Sequence, residues 1–129
     1  MQMAIDDAGI QATDVQYINA HGTSTPLNDK NETLSIKTIF GDAAYKVVIN
    51  STKSMIGHTL GAAAGIEGIA TVMSIIDKKV HPTINFETPD PDCDLNYSHN
   101  KLTELEIEYA LSNSLGFGGH NGVIIYKRY

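Results

Sequence analysis

Apolar residues recur along the chain at two periods, and glycine marks most of the changes between them. Met1, Ala4, Ile5 and Ala8 lie three and four apart, the spacing of one helical face, and Gly9 follows where a helix would stop. Val15 to Ala20 is short, apolar and β-rich, which predicts a strand. A second helix carries Leu34, Ile36, Ile39 and Phe40 and closes at Gly41; Asp29 and Glu32 have the spacing of a capping box at its start. Val47-Val48-Ile49 is apolar on both faces, as a buried parallel strand is. From Leu60 to Lys78 apolar and small residues run nearly all the way round, which predicts a buried central helix. Residues 80–103 hold Pro82, Pro89 and Pro91 among Asp and Asn, and read as a long loop of the functional or partner-packing kind. Tyr109 to Asn113 and Gly122 to Tyr129 then predict an antiparallel hairpin around a glycine-rich turn. Strands alternating with helices make the chain α/β with a mixed sheet. A helix that begins at residue 1 without a visible cap is expected of a chain cut from a longer one.

Composition narrows the function classes. A length of 129 residues is one domain or part of one. Nine Lys and Arg stand against 15 Asp and Glu, a net charge of −6, without the clustered basic face that nucleic acid requires. One cysteine permits no internal disulfide, so a reducing, cytoplasmic setting is the simpler expectation. Residues Met1 to Asp7 have neither the basic start nor the apolar run of a signal peptide. The stretch Leu60 to Ile76, interrupted by Glu67 and many small residues, falls short of the roughly 20 apolar residues of a membrane span. Neither a membrane nor a nucleic acid is therefore expected as a partner.

The chemistry gathers in two strand-to-helix turns, His21-Gly22-Thr23-Ser24-Thr25-Pro26 and Lys53-Ser54-Met55-Ile56-Gly57-His58. In open α/β sheets that edge binds ligands, so two turns that each present a histidine suggest one shared pocket. Each histidine also has a plainer reading, as a capping or hydrogen-bonded core residue. Thr23, Ser24 and Thr25 offer hydroxyls to a phosphate or amide, or simply make a turn. A helix beginning near His58, together with Lys53, would favour an imidazole that donates a hydrogen bond to a developing oxyanion. Lys53 near buried structure needs a carboxylate, and Glu67 on the apolar helix is the candidate. Gly116-Phe117-Gly118-Gly119 brings backbone N–H groups close to a ligand, or is a flexible turn. No His-x-x-x-His and no Cys pair exists, so no metal is expected. Cys93 sits between Asp92 and Asp94, acids that oppose a thiolate, and reads as structural.

Three segments, Asn19 to Asp29, Ser51 to His58 and Asn113 to Gly119, together resemble the β-ketoacyl-acyl-carrier-protein synthases of the thiolase superfamily, above all the type II elongating members. The resemblance covers nearly the whole chain. It implies a thiolase-like fold of which residues 1–129 are the C-terminal half only, a truncated portion lacking the half that carries the nucleophilic cysteine. It implies an acyltransferase of fatty acid biosynthesis that carries out a decarboxylative Claisen condensation, and that is inactive in this isolated form. His21, His58 and Lys53 become the catalytic set: the two histidines bind the malonyl thioester carbonyl and stabilise the enolate, while Lys53, paired with Glu67, orders the site. Thr23 and Thr25 hydrogen-bond the phosphopantetheine arm. Phe117 is the gate, and its backbone N–H joins that of the cysteine in the oxyanion hole. No cofactor is implied beyond that phosphopantetheine arm, which belongs to the acyl carrier protein as substrate carrier. The implied partners are acyl carrier protein and a second copy, as a homodimer. His120 departs from the family pattern, which has Thr before Asn-Gly. A polyketide-type ketosynthase and a non-catalytic partner of the chain-length-factor kind are the alternatives; a degradative thiolase would need a second cysteine by the glycine loop, where this chain has none.

Overall fold

In a computed structural model that describes all 129 residues, the elements run α1 (Gln2–Ala8), β1 (Val15–Asn19), α2 (Pro26–Phe40), β2 (Val48–Asn50), α3 (Lys53–Ile56), α4 (Ala63–Asp77), β3 (Lys79–Val80), β4 (Thr103–Glu104), β5 (Tyr109–Leu115) and β6 (Asn121–Lys127). The main sheet has the order β2-β1-β5-β6. β1 runs parallel to both β2 and β5, and β5 and β6 form the expected antiparallel hairpin. β3 and β4 make a separate two-stranded antiparallel ribbon.

Side chains of β1 and β5 divide between two layers because successive residues of a strand point to opposite faces. On one face Ile18, Ile49 and Leu111 pack with Ile5 of α1 and Ile36 and Phe40 of α2. On the other Tyr17, Val48 and Ala110 pack with Ile75 of α4 and Val80 of β3. Each fully buried aliphatic side chain of this kind contributes about 1.5–3 kcal/mol. Helices thus cover both faces, and every parallel strand ends at the same edge.

Two features differ from the sequence expectations. α2 begins at Pro26, where a fixed φ suits a first helical position, with Thr25 extended before it. Asp29 and Glu32 are therefore not its cap; both carboxylates turn back to the chain that precedes the helix. α4 is the central helix, but this chain covers only one of its sides. Its buried residues are Ala63, Glu67, Gly68, Thr71, Ser74 and Ile75, while Ile69, Met73 and Ile76 stand exposed. Gly68 lets β6 approach closely, since a Cβ there would lie 2.6 Å from the Tyr126 hydroxyl and the ring would have to shift. The stretch Leu60–Asp77 does reach the length and apolarity of a membrane span, contrary to the sequence estimate. Its inward stripe of Glu67, Thr71 and Ser74, hydrogen-bonded within the domain, is that of a core helix.

Between β3 and β4 the long loop is laced onto the domain. Lys30–Asp92 and Lys37–Asp94 ion pairs and the Thr33–Tyr97 hydrogen bond hold it to α2, and the Ile49 N–H donates to the Asn96 carbonyl.

Candidate active site

Parallel neighbours β1 and β2 end side by side at Asn19 and Asn50, so the turns that follow them are adjacent. Gly22 stands at φ +44°, and a Cβ there would lie 2.5 Å from the Ser51 Cβ. Only glycine permits that approach. The Ser51 hydroxyl closes it by donating to the Gly22 carbonyl at 2.8 Å. Together the turns place the His21 and His58 rings 5.4 Å apart and nearly perpendicular.

His21 is 7% exposed, and its Nδ1 is buried without a hydrogen-bond partner. Burial holds its pKa below the ordinary histidine value, helped by the Lys53 and His58 charges and opposed by Glu32 and Asp29. His58 is exposed in this chain and lies five residues before α4, which a turn of 3₁₀ helix at Leu60–Ala62 precedes. A local contact rather than a helix dipole thus disposes its ring: the Leu60 N–H donates to Nδ1 at 3.1 Å. A nitrogen that accepts carries no proton, so in the neutral ring the hydrogen is on Nε2, free for a ligand.

Lys53 and Glu67 form a buried ion pair, with side chains 4% and 1% exposed. Burial pushes the Glu67 carboxyl above its ordinary pKa, outweighing the pull of the Lys53 ammonium. Asn19, 1% exposed, ties β1 to both sides of this pair: its Nδ2 donates to Thr52 Oγ1, the Glu67 carbonyl and Thr71 Oγ1.

A cavity of about 720 Å³ opens beside these turns. Lys53, His58, Thr23 and Thr25 line its site end, and Phe86, Cys93 and His99 its loop end. The two threonine hydroxyls lie 3.0 Å apart at the surface, where both can reach a ligand. Cys93 is not activated: burial and the carboxylates of Asp90, Asp29 and Asp92 push its thiol up, against a hydrogen bond with Thr33. Phe117 does not line this cavity. Its ring is 96% exposed at the hairpin tip, where Gly118 and Gly119 take positive φ and the Gly116 N–H donates to the His120 carbonyl at 2.6 Å.

Glu32, read from the sequence only as half of a capping box, belongs to the site. Its Oε1 accepts from the His21 N–H at 2.9 Å and from Asn113 Nδ2 at 2.7 Å, and its Oε2 accepts from the Gly22 N–H at 2.9 Å. One carboxylate thus joins the histidine turn, α2 and the base of the hairpin. The clue was its place with Ile36 and Phe40 at helical spacing, a carboxylate inside an apolar stripe. Glu32→Gln leaves one acceptor oxygen and turns an NH2 group toward a donor. It is expected to cost about 2–3 kcal/mol in urea unfolding and to shift the His21 imidazole resonances. A change below about 0.5 kcal/mol would exclude the carboxylate as the anchor of the turn.

Residues 1–87 match the family model of the β-ketoacyl synthase C-terminal domain. The chain is 58% identical over all 129 of its residues to 3-oxoacyl-[acyl-carrier-protein] synthase 2 of Staphylococcus aureus (strain COL), of which it spans 31%. It is 54% identical over 126 residues, 98% of the chain and 30% of the relative, to the Synechocystis protein of the same description. Among solved structures, a type II PKS acyl-carrier protein in complex with its ketosynthase, bound to the hexaketide, contains a chain that superposes with a TM-score of 0.97 at 48% identity. That match covers 99% of this chain and 31% of the other. A β-ketoacyl synthase from Burkholderia phymatum superposes at 0.94 and 37% identity, over 100% and 31% of the two chains. The chain spans about 31% of the length of these relatives. The motifs, the fold and these matches agree: the chain belongs to the β-ketoacyl synthase family and corresponds to the C-terminal part of such a synthase.

Proposed function

We propose that this chain is the enolate-forming part of a 3-oxoacyl-[acyl-carrier-protein] synthase, an acyltransferase of fatty acid biosynthesis. The observation that carries the reading is the pair of perpendicular histidines 5.4 Å apart, set beside a buried Lys53–Glu67 pair. His21 and His58 donate hydrogen bonds to the thioester carbonyl of a malonyl group carried on acyl carrier protein. The carbon–carboxylate bond breaks, CO2 leaves, and its electron pair moves into the carbonyl to give an enolate. The histidine N–H groups stabilise that oxyanion. The enolate carbon then attacks an acyl thioester on a cysteine outside these residues, which leaves as thiolate. Lys53 and Glu67 fix the turn between the histidines, Thr23 and Thr25 bind the phosphopantetheine arm, and Phe117 closes over the acyl chain once the hairpin has its partner. The single cysteine suits a reducing compartment, the cytoplasm. Identity of 58% to a 3-oxoacyl-[acyl-carrier-protein] synthase 2, against 48% to a type II PKS ketosynthase, supports the fatty acid reading over the polyketide one.

The full-length synthase carrying this sequence is expected to condense acyl- and malonyl-carrier protein, and residues 1–129 alone to give no β-ketoacyl product. Product from the isolated chain, abolished by Cys93→Ala, would refute the assignment of the nucleophile to other residues.

The exposed side of α4 supports a homo-oligomer. Ile69 is 68% exposed and Ile76 63%, and Leu60 in the turn before the helix 71%, apolar side chains that association would cover. At micromolar concentration the chain is expected to sediment as a dimer or larger; a monomer of 14.0 kDa that binds no hydrophobic dye would count against this.

A further inference from the structure

Lys53 opens a very short element, and His58 follows two residues after its end. α3 has four residues, far below the length at which a helix holds itself in water. Its support comes from residues 81–85 of the long loop, which run beside residues 50–54. The Asn50 Nδ2 donates to the His81 carbonyl at 2.7 Å, the Ser51 N–H to Thr83 Oγ1 at 3.1 Å, and the Ile84 N–H to Ser54 Oγ at 3.0 Å. At the centre of this lacing Thr52 Oγ1 meets His81 Nε2 at 3.0 Å.

His81 Nδ1 faces the Pro82 carbonyl at 3.1 Å, and a carbonyl only accepts, so Nδ1 carries the proton. Nε2 is then the acceptor, and the Thr52 hydroxyl donates to it at 3.0 Å, the shorter of its two contacts with acceptors, the other being Asn19 Oδ1 at 3.2 Å. Thr52 Oγ1 in turn accepts from Asn19 Nδ2 at 2.9 Å. Thr52 and Asn19 are 5% and 1% exposed, so neither has free access to water as a substitute. Burial, which favours the neutral ring, also keeps the His81 pKa below the ordinary histidine value, against the Pro82 bond, which raises it.

We infer that His81 is a positioning residue for Lys53: as the Nδ1–H tautomer it accepts from Thr52 and so locks the turn that carries Lys53 to His58. The role of Lys53 in this inference rests on the condensing function proposed above, whereas the brace itself does not.

Two measurements on the chain test the brace. Long-range 1H–15N spectra are expected to show the Nδ1–H tautomer at His81; the Nε2–H tautomer would overturn the inference. His81→Leu, of similar bulk but without an acceptor, is expected to speed amide exchange at Met55, Ile56 and Gly57 about tenfold, with Ile18 unchanged. His81→Gln, whose Oε1 can stand near the Nε2 position, should restore protection. Should His81→Leu unfold, Thr52→Val deletes only the hydroxyl and should give the same local exchange. Equal exchange in all variants, or equal loss in Leu and Gln, overturns the brace. In the full-length synthase His81→Leu should lower kcat about 10–100-fold at unchanged KM, and His81→Gln less than about threefold. A wild-type synthase that does not condense would remove the proposed function, while the tautomer and exchange results would still decide whether His81 braces the turn.

Discussion

Replacing Lys53 with methionine is expected to destabilise the chain by about 3–5 kcal/mol at neutral pH, the cost of leaving one member of a buried ion pair without its counter-charge. The stranded group is Glu67, 1% exposed on α4 with Oε2 already lacking a partner. Its carboxyl is raised above its ordinary value even beside Lys53, because burial outweighs the ammonium. Removing that ammonium raises it further. A carboxyl whose folded pKa is raised contributes stability below its unfolded value and loses it as pH rises. The penalty for Lys53→Met should therefore be largest at neutral pH, shrink as pH falls, and be least below the unfolded value of 4.5, where Glu67 is protonated in both states. Lys53→Met combined with Glu67→Leu should recover most of the loss, since an apolar pair needs no desolvation. Urea unfolding at several pH values reads all three. A penalty that does not change with pH would mean that Lys53 acts through packing rather than charge.

In the full-length synthase, His58→Ala is expected to lower the rate of malonyl decarboxylation about 10²–10³-fold, the usual effect of losing one oxyanion donor. The Leu60 N–H at Nδ1 leaves Nε2 as the donating nitrogen. His58→Gln keeps an amide donor and should retain more activity than His58→Ala, whereas His58→Phe keeps the ring shape and should not. The exposure of His58 in this chain predicts little change in stability for any of the three, which separates a chemical role from a structural one. Wild-type decarboxylation by His58→Ala would reduce this residue to a local cap for Leu60.

Strands and long helices were legible because their apolar spacing is set by the core they face: Val15 to Ala20, Val47 to Ile49 and the hairpin lie within one or two residues of the strands observed. Lys53, His58 and the hydroxyl turn share one cavity, while His21 lies buried behind it, outside the lining, with its ring 5.4 Å from that of His58. What spacing alone misses is direction. Glu32 fits a capping box by sequence, yet its carboxylate reaches back to the N–H groups of His21 and Gly22, because Pro26 starts the helix a turn earlier. α4 is apolar nearly all round, so its pattern cannot say which side turns inward; Lys53, on another segment, decides that by taking Glu67. α3 has no propensity of its own and exists through contacts with residues 81–85, about 30 positions away. Phe117 stands apart from the cavity because a glycine-rich tip has little to pack it against one chain.

The sheet has two edges of unequal character. On the β2 side the Ile49 N–H is already taken by the Asn96 carbonyl of the loop. The β6 side is seven residues long, reads Asn-Gly-Val-Ile-Ile-Tyr-Lys, and has no strand beyond it. An uninterrupted run of β-branched and aromatic residues on an open edge is a template for fibrous aggregation. Here the asymmetry limits growth. Two chains that paired β6 against β6 would use both open edges at once, and each outer boundary of the joined sheet would then be a β2 whose Ile49 N–H the loop holds. If two such chains joined at β6, growth of the sheet would stop at two copies for as long as the loop holds the Ile49 N–H.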